Sequence, residues 1–325
     1  MKKTVKTFFA VMLALAATSL LFAKGSSDSA AAGGGKKFVI GMAQCNLGEP
    51  WRVAMNAQIA AAAKNYPMFE VIFSDAAQDN SKQIADIENF IQMHVDLLIT
   101  SPNEAKPLTN VIKRAYEAGI PVILLDRKIE GDTYTQFIGA DNTLIGRECG
   151  KYVAQTLLPN GGNICEIKGL EGTSGGIERD KGFREGIKAN PKCKIIAANN
   201  ADWLREKAIT IAEEMLQAHD NIDLFYCLND PMAEGAYIAA KNAGREKNIL
   251  FVGVDGLPTP DGGIKSVMDG RLSLSMVYPT GGKEAIESAY ALLVEGKKLD
   301  KIVTLGTQTI TPKNAAQLYK EMGGK

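Results

Sequence analysis

The run Pro121-Val122-Ile123-Leu124-Leu125 stands between Gly119 and the charged pair Asp126-Arg127. Five apolar residues in a row after a helix-stopping glycine read as a strand buried on both faces, the signature of a parallel sheet covered by helices. Comparable strands are expected at Phe38–Ala43, Phe69–Ser74, Asp96–Thr100 and Thr135–Ala140. Between them, helices are expected from Pro50, where proline suits a first turn, and from Ser81 to Met93. A third carries Leu108, Val111, Ile112 and Ala115 on one face and stops at Gly119. A second series then begins, with Ile145, Cys149, Val153 and Leu157 on one helical stripe. Strands at Asn163–Lys168, Lys194–Ala198, Ile222–Cys227 and Ile249–Val254 alternate with helices near 177–189, 204–218 and 231–243. A helix near Gly262–Asp269, a strand at Leu272–Val277 and a helix at Lys283–Val294 follow, and a strand near Lys301–Leu305 is expected to end the fold. Two successive runs of βα units predict an α/β chain of two doubly wound parallel-sheet lobes, not one barrel.

The first residues point to export. Lys2, Lys3 and Lys6 precede an uncharged apolar stretch from Phe8 to Phe22, and small Ala23 comes before Lys24-Gly25-Ser26. This is the pattern of a signal peptide over residues 1–23, too short for a membrane span of about 20 apolar residues. A flexible Ser/Ala/Gly linker over 24–36 follows, with no cysteine near the cut to carry a lipid. Without residues 1–23, 34 basic residues face 37 acidic ones, which suggests neither nucleic acid nor an anionic membrane as partner. The cysteines Cys45, Cys149, Cys165, Cys193 and Cys227 are odd in number and scattered over predicted strands and one helix face. They read as buried thiols, not as a disulfide framework or metal site.

In open α/β sheets ligands bind at the carboxyl ends of the strands. There this chain places Gln44 and Glu49-Pro50-Trp51-Arg52, then Ser101-Pro102-Asn103-Glu104, then Asp126-Arg127. In the second half the same rim receives the loop Gly169–Gly176 leading to Arg179, then Asp202-Trp203, Asn229-Asp230 and Asp255. Both tryptophans of the chain fall on this rim, one in each half. An indole face stacks on the C–H face of a sugar ring, while Asp, Asn and Arg hold its hydroxyls.

The chain resembles the periplasmic monosaccharide-binding proteins of the ribose-binding type, solute receptors of ABC importers. The likeness covers residues 37–310 and rests on Pro-Val-Ile-Leu-Leu-Asp-Arg (121–127), Gly-Ala-Asp-Asn (139–142), Glu-Arg-Asp-Lys-Gly-Phe (178–183), Asn-Asp-Pro-Met-Ala-Glu-Gly-Ala (229–236) and Val-Gly-Val-Asp-Gly (252–256). It implies two Rossmann-like lobes joined by three crossings near Ala140, Val277 and Leu305: residues 37–140 with 278–305, and 141–277 with 306–325. It also implies ligand positions at Glu49, Trp51, Arg52, Asp126, Arg127, Arg179, Trp203, Asn229 and Asp255, and Gln44 and Asn103 from the strand-end rim, with Asp141, complete the expected ligand set. Two positions depart from the ribose pattern: Glu49 replaces an asparagine, and Val277 falls where a glutamine is usual. The Gly-Met-Ala-Gln (41–44) and Trp51-Arg52 stretches are similar to galactofuranose receptors, so a hexofuranose is the leading ligand. Another pentose, a hexopyranose or a cyclic polyol such as inositol stays open. The implied partners are a monosaccharide and an inner-membrane ABC permease, with a monomeric receptor in the periplasm and no cofactor.

Other classes fare worse on these residues. The two histidines, His94 and His219, lie in or at the ends of predicted helices and form no cluster with cysteine, so neither a nucleophile–base pair nor a metal centre is indicated. The loop Gly169–Gly176 lacks the lysine of a phosphate-binding P-loop and the spacing of a dinucleotide fingerprint. A repressor of this fold needs a helix-turn-helix where the signal peptide stands. A sensory receptor passing its closed form to a signalling protein shares every rim residue and stays open.

Overall fold

The computed structural model describes residues 36–324. The signal peptide expected over 1–23 and the linker up to residue 35 lie outside the described residues. The first half alternates β1 (Phe38–Gln44), α1 (Pro50–Ala63), β2 (Phe69–Asp75), α2 (Asn80–Gln92), β3 (Leu97–Thr100), α3 (Ala105–Glu117), β4 (Val122–Leu125) and β5 (Gln136–Ala140). The second runs α4 (Asn142–Tyr152), β6 (Gly162–Lys168), α5 (Ser174–Gly186), β7 (Cys193–Asn200), α6 (Arg205–Ala218), β8 (Leu224–Cys227), α7 (Asp230–Asn242), β9 (Leu250–Val252) and α8 (Gly263–Met268). Then come β10 (Ser275–Met276), α9 (Gly282–Leu293), β11 (Ile302–Leu305), β12 (Thr309–Ile310) and α10 (Ala315–Glu321).

Two parallel sheets organise two α/β lobes. One has the order β11-β5-β4-β3-β1-β2, the other β7-β6-β8-β9. Residues Val122 to Leu125 of β4 are all fully buried, as a strand flanked by neighbours and covered by helices must be. On α3, Leu108, Val111, Ile112 and Ala115 are buried while the opposite face is wet. The chain passes between the sheets after β5, between β10 and α9, and between β11 and β12. The second passage returns the chain to the first lobe, where α9 packs on α1 and β11 pairs with β5, and the third leaves it again.

The helices α4 and α5 lie against each other at glycines. A Cβ on Gly146 would sit 2.1 Å from the Arg179 carbonyl oxygen, and one on Gly182 would sit 2.1 Å from that of Thr143. Only glycine permits this approach, and it brings the start of α5 close to the crossing after β5. All five cysteines are buried and unpaired. Burial pushes the Cys149 and Cys165 thiols up to about 12.

Three expectations are corrected. The strand expected over Leu272–Val277 shrinks to Ser275–Met276, because this segment is a crossing: it pairs antiparallel with β12, while Leu274 and Val277 make single bridges to Val252 and Asp255. The fold does not end on β11, since β12 and α10 follow and bury Ala315, Leu318 and Tyr319. The stripe through Leu157 is broken as well. The helix loosens into a π-turn over Val153–Leu157, and Pro159 prevents its continuation, leaving Leu157 half-buried.

Candidate ligand-binding cleft

Each strand end delivers one part of the site. After β1, Pro50 opens α1 and places Trp51 and Arg52 in the first turn, where both are buried. The Trp51 indole N–H donates to the Tyr278 carbonyl at 2.8 Å, and the two rings lie 5.2 Å apart. Arg52 donates to Asp126 at 2.6 Å and to the Ser101 hydroxyl at 2.8 Å, and its guanidinium lies 4.9 Å from the Trp51 ring centre. After β4, Arg127 donates to the Asn103 carbonyl at 2.8 Å and stands 5.7 Å from the Trp203 ring.

The second lobe supplies the opposite wall. From α5, Arg179 donates to the Asn142 side-chain oxygen at 2.7 Å and to the Leu228 carbonyl at 2.6 Å. Its guanidinium lies 4.5 Å from the Tyr278 ring and 5.6 Å from that of Trp203. Trp203 follows β7 and rests on Gly169, where a Cβ would come within 2.1 Å of the indole. Asn229 caps α7 by accepting from the Met232 N–H at 2.9 Å, and its amide donates to the Trp203 carbonyl at 3.0 Å. Asp255 follows β9 at the crossing.

These residues surround one narrow cavity of about 320 Å³, mouth included, lined by Glu49, Trp51, Arg52, Asp126, Arg127, Gly175, Arg179, Trp203, Asn229, Asp255 and Tyr278. Three guanidinium groups face three carboxyl groups around it, so their formal charges balance when all are ionised. Burial alone would raise the Asp126 carboxyl. Arg52 and Arg127, the Tyr278 hydroxyl and Arg179 outweigh that and hold it below the usual carboxylate range. Burial, then Asp126, raises Tyr278 far enough that its hydroxyl stays a donor, bonded to Asp126 at 2.7 Å. Burial and the neighbouring Asp230 push the Asp255 carboxyl well up. Asp230 itself accepts from the Gly256 N–H at 2.7 Å and the Ser275 hydroxyl at 2.6 Å.

The backbone is strained at the same place. Asp126 (φ 64°), Trp203 (φ 71°) and Asp255 (φ 142°) all adopt positive φ without being glycine. Such conformations cost on the order of 1–3 kcal/mol each and persist where the surroundings over-determine them, as in ligand clamps.

Three residues of the expected ligand set lie off the cavity. Gln44 is sealed beneath α1, with its amide on Asn56 at 3.0 Å and its oxygen accepting from the Cys45 N–H at 3.1 Å. Asn103 spends its side-chain amide on the Gln78 carbonyl at 3.1 Å and on Asn80 at 3.0 Å. Exposed Asp141 caps α4, accepting from the Leu144 N–H at 2.9 Å. The other nine line the cavity together. Tyr278 escaped the sequence reading: the crossing residue facing the site is Tyr278, not Val277. Strand alternation carries the signal, since Val277 bridges Asp255 and the next side chain turns to the other face. Among the described residues no group of His, Cys, Asp and Glu gathers to hold a metal ion, and no helix is long and apolar enough to cross a membrane.

Comparison with known proteins gives a consistent picture. The family profile described as periplasmic binding protein domain matches residues 40–298. The ribose import binding protein of Bacillus subtilis is 31% identical over 315 residues, covering 96% of this chain and 100% of its own. The galactofuranose-binding protein of Escherichia coli is 31% identical over 297 residues, covering 87% and 92%. Among solved structures, the fructose-binding periplasmic domain of a hybrid two-component system superposes with a TM-score of 0.84 at 43% identity, covering 87% of this chain and 94% of that one. Each of the three is named for the sugar it binds, ribose, galactofuranose or fructose, and none for a reaction. The chain belongs to the periplasmic binding protein family, among its ribose-type receptors.

Proposed function

We propose that the cavity binds one monosaccharide, in the first place a hexose in its five-membered-ring form such as galactofuranose. The observation that carries this is the pairing of two indoles, one from each lobe, on a narrow cavity ringed by three guanidinium and three carboxyl groups. A neutral polyol satisfies such a site, whereas a phosphate or carboxylate ligand would leave a carboxyl group facing its charge. Trp51 and Trp203 offer faces to the ring. Asp126, already holding Arg52 and Tyr278, keeps lone pairs for sugar hydroxyls, and Arg127 keeps guanidinium donors beyond the one given to Asn103. Sugar on one rim draws the other rim over it by hinge closure at the three crossings. Exported to the periplasm as a monomer, the receptor delivers its closed form to an ABC importer permease.

A sensory role is the second reading. It is favoured by the 43% identity to the fructose-binding domain of a hybrid two-component system, against 31% for the two transport and sugar-binding relatives above. It also adds fructofuranose to the leading ligands. The test is tryptophan fluorescence of protein stripped of sugar by unfolding and refolding, titrated with galactofuranose, fructose, ribose, arabinose, galactose, glucose, xylose and myo-inositol. A saturable micromolar response to a furanose-forming hexose supports the proposal. Silence across the panel from correctly folded protein overturns it.

A further inference from the structure

The glycine-rich loop Gly169–Gly176 also touches the opposite lobe. The Gly172 carbonyl accepts from the N–H of Ala105, the first residue of α3, at 3.3 Å. The Ser174 hydroxyl oxygen accepts from the Lys128 N–H at 3.0 Å. One turn further along α5, the Glu178 carboxylate meets the Lys128 ammonium at 2.7 Å. A fourth bond joins the Gln78 side-chain amide, after β2, to the carbonyl of Asp202, after β7, at 3.0 Å. None of these residues lines the cavity.

We infer that this loop, together with Lys128 and the start of α5, is a latch between the lobes. Lys128, Ser174 and Glu178 act as positioning residues that favour the closed arrangement whether or not a ligand is present. The Lys128 and Glu178 side chains are 42% and 28% exposed, so their pair is solvent-screened and adjustable, not a fixed part of the core. A pair of this kind biases a two-state equilibrium by about 1.4- to 5-fold. A bias of that size leaves the cleft free to open while lowering the fraction of binding energy spent on closing it. Gly172, at φ 79°, supplies the turn that points its carbonyl at α3.

The test uses the sugar-free protein, so its failure and the failure of the sugar reading are separate events. Lys128→Glu and Glu178→Lys each turn the attraction into repulsion, and the double variant restores it with the charges exchanged. The readouts are acrylamide quenching of Trp51 and Trp203, which are 4% and 5% exposed in this arrangement, and the radius of gyration by solution X-ray scattering. Each single variant is expected to raise the quenching constant by about twofold and to enlarge the molecule, and the double to return both toward wild type. Ser174→Ala, which removes one neutral bond, is expected to move both readouts the same way by less. Unchanged melting by circular dichroism confirms that the variants are folded. Single variants that quench and scatter like wild type, or a double variant no closer to wild type than its parents, would overturn the latch.

Discussion

Asp126→Asn isolates the charge at the centre of the cleft. Asparagine keeps the shape and tolerates the left-handed backbone that Asp126 adopts at φ 64°, so no new strain enters. What is lost is the ion pair to Arg52 at 2.6 Å and the weaker attraction to Arg127 at 3.7 Å, all three groups being buried. Breaking a buried pair from one side costs about 3–5 kcal/mol, because the partner charge is left behind. The low end, about 3 kcal/mol, applies here. Glu49 stands 3.9 Å from Arg52 and takes part of its charge, and the asparagine oxygen still accepts from Tyr278. The pH dependence follows from the depressed carboxyl. A group whose folded value lies below its unfolded one, about 3.9 for aspartate, contributes in full above the unfolded value and loses that contribution as pH falls through the folded one. Urea unfolding followed by tryptophan fluorescence and far-ultraviolet circular dichroism should therefore show the full gap between variant and wild type at pH 7, and a narrowing gap below about pH 4. A gap under about 1 kcal/mol at pH 7, or one that widens toward acid, would refute the buried-pair reasoning.

Arg127→Ala should lower sugar affinity more than about tenfold by calorimetry, since each charged hydrogen bond is worth roughly 1.5–3 kcal/mol; unchanged affinity would remove Arg127 from the site. Gly169→Ala forces the Trp203 ring off its seat at an overpacking cost of about 1–3 kcal/mol, so tryptophan emission should shift and sugar binding weaken. Wild-type emission and affinity would mean the loop gives way instead of the ring. Glu166 is fully buried, with one oxygen on Arg184 at 2.6 Å and Asp180 beside it. Burial and Asp180 push its carboxyl up to about 8. Its contribution to stability is therefore lost as pH rises toward 8, and Glu166→Gln should gain in melting temperature relative to wild type between pH 5 and pH 9. A difference independent of pH would contradict this.

The strands and helical stripes were legible because burial marks short stretches without outside help, by an unbroken apolar run at Val122–Leu125 and by helical spacing at Leu108–Ala115. Trp51, Arg52, Asp126 and Arg127 were legible because a strand's end locates the residues after it. Gln44 shows the limit of that rule. It too ends a strand, but its side chain goes under α1: being last in a strand does not say which face the alternation has reached. Asp141 had a competing role readable in the chain, an Asp three residues before Leu144 at a helix start, and capping won. The pairing of β12 depends on a crossing that brings residues 255, 277 and 308–310 together, which no local pattern encodes, and alternation points to Tyr278 only once Val277 is placed against Asp255 at that crossing. The helix α10 was missed despite a stripe of Ala315, Leu318 and Tyr319, because it is only two turns long.

The five sealed thiols have a practical meaning for anyone who wants to watch this receptor move. Thiol reagents attack the thiolate, and these sulfurs are both out of reach and, at Cys149 and Cys165, poorly ionised. The native molecule should thus stay dark to a maleimide dye, and a single cysteine placed on the cleft rim would become the only reactive one. Such a label would report the proposed closing of the cleft from an otherwise unmodified protein, with none of the natural cysteines removed.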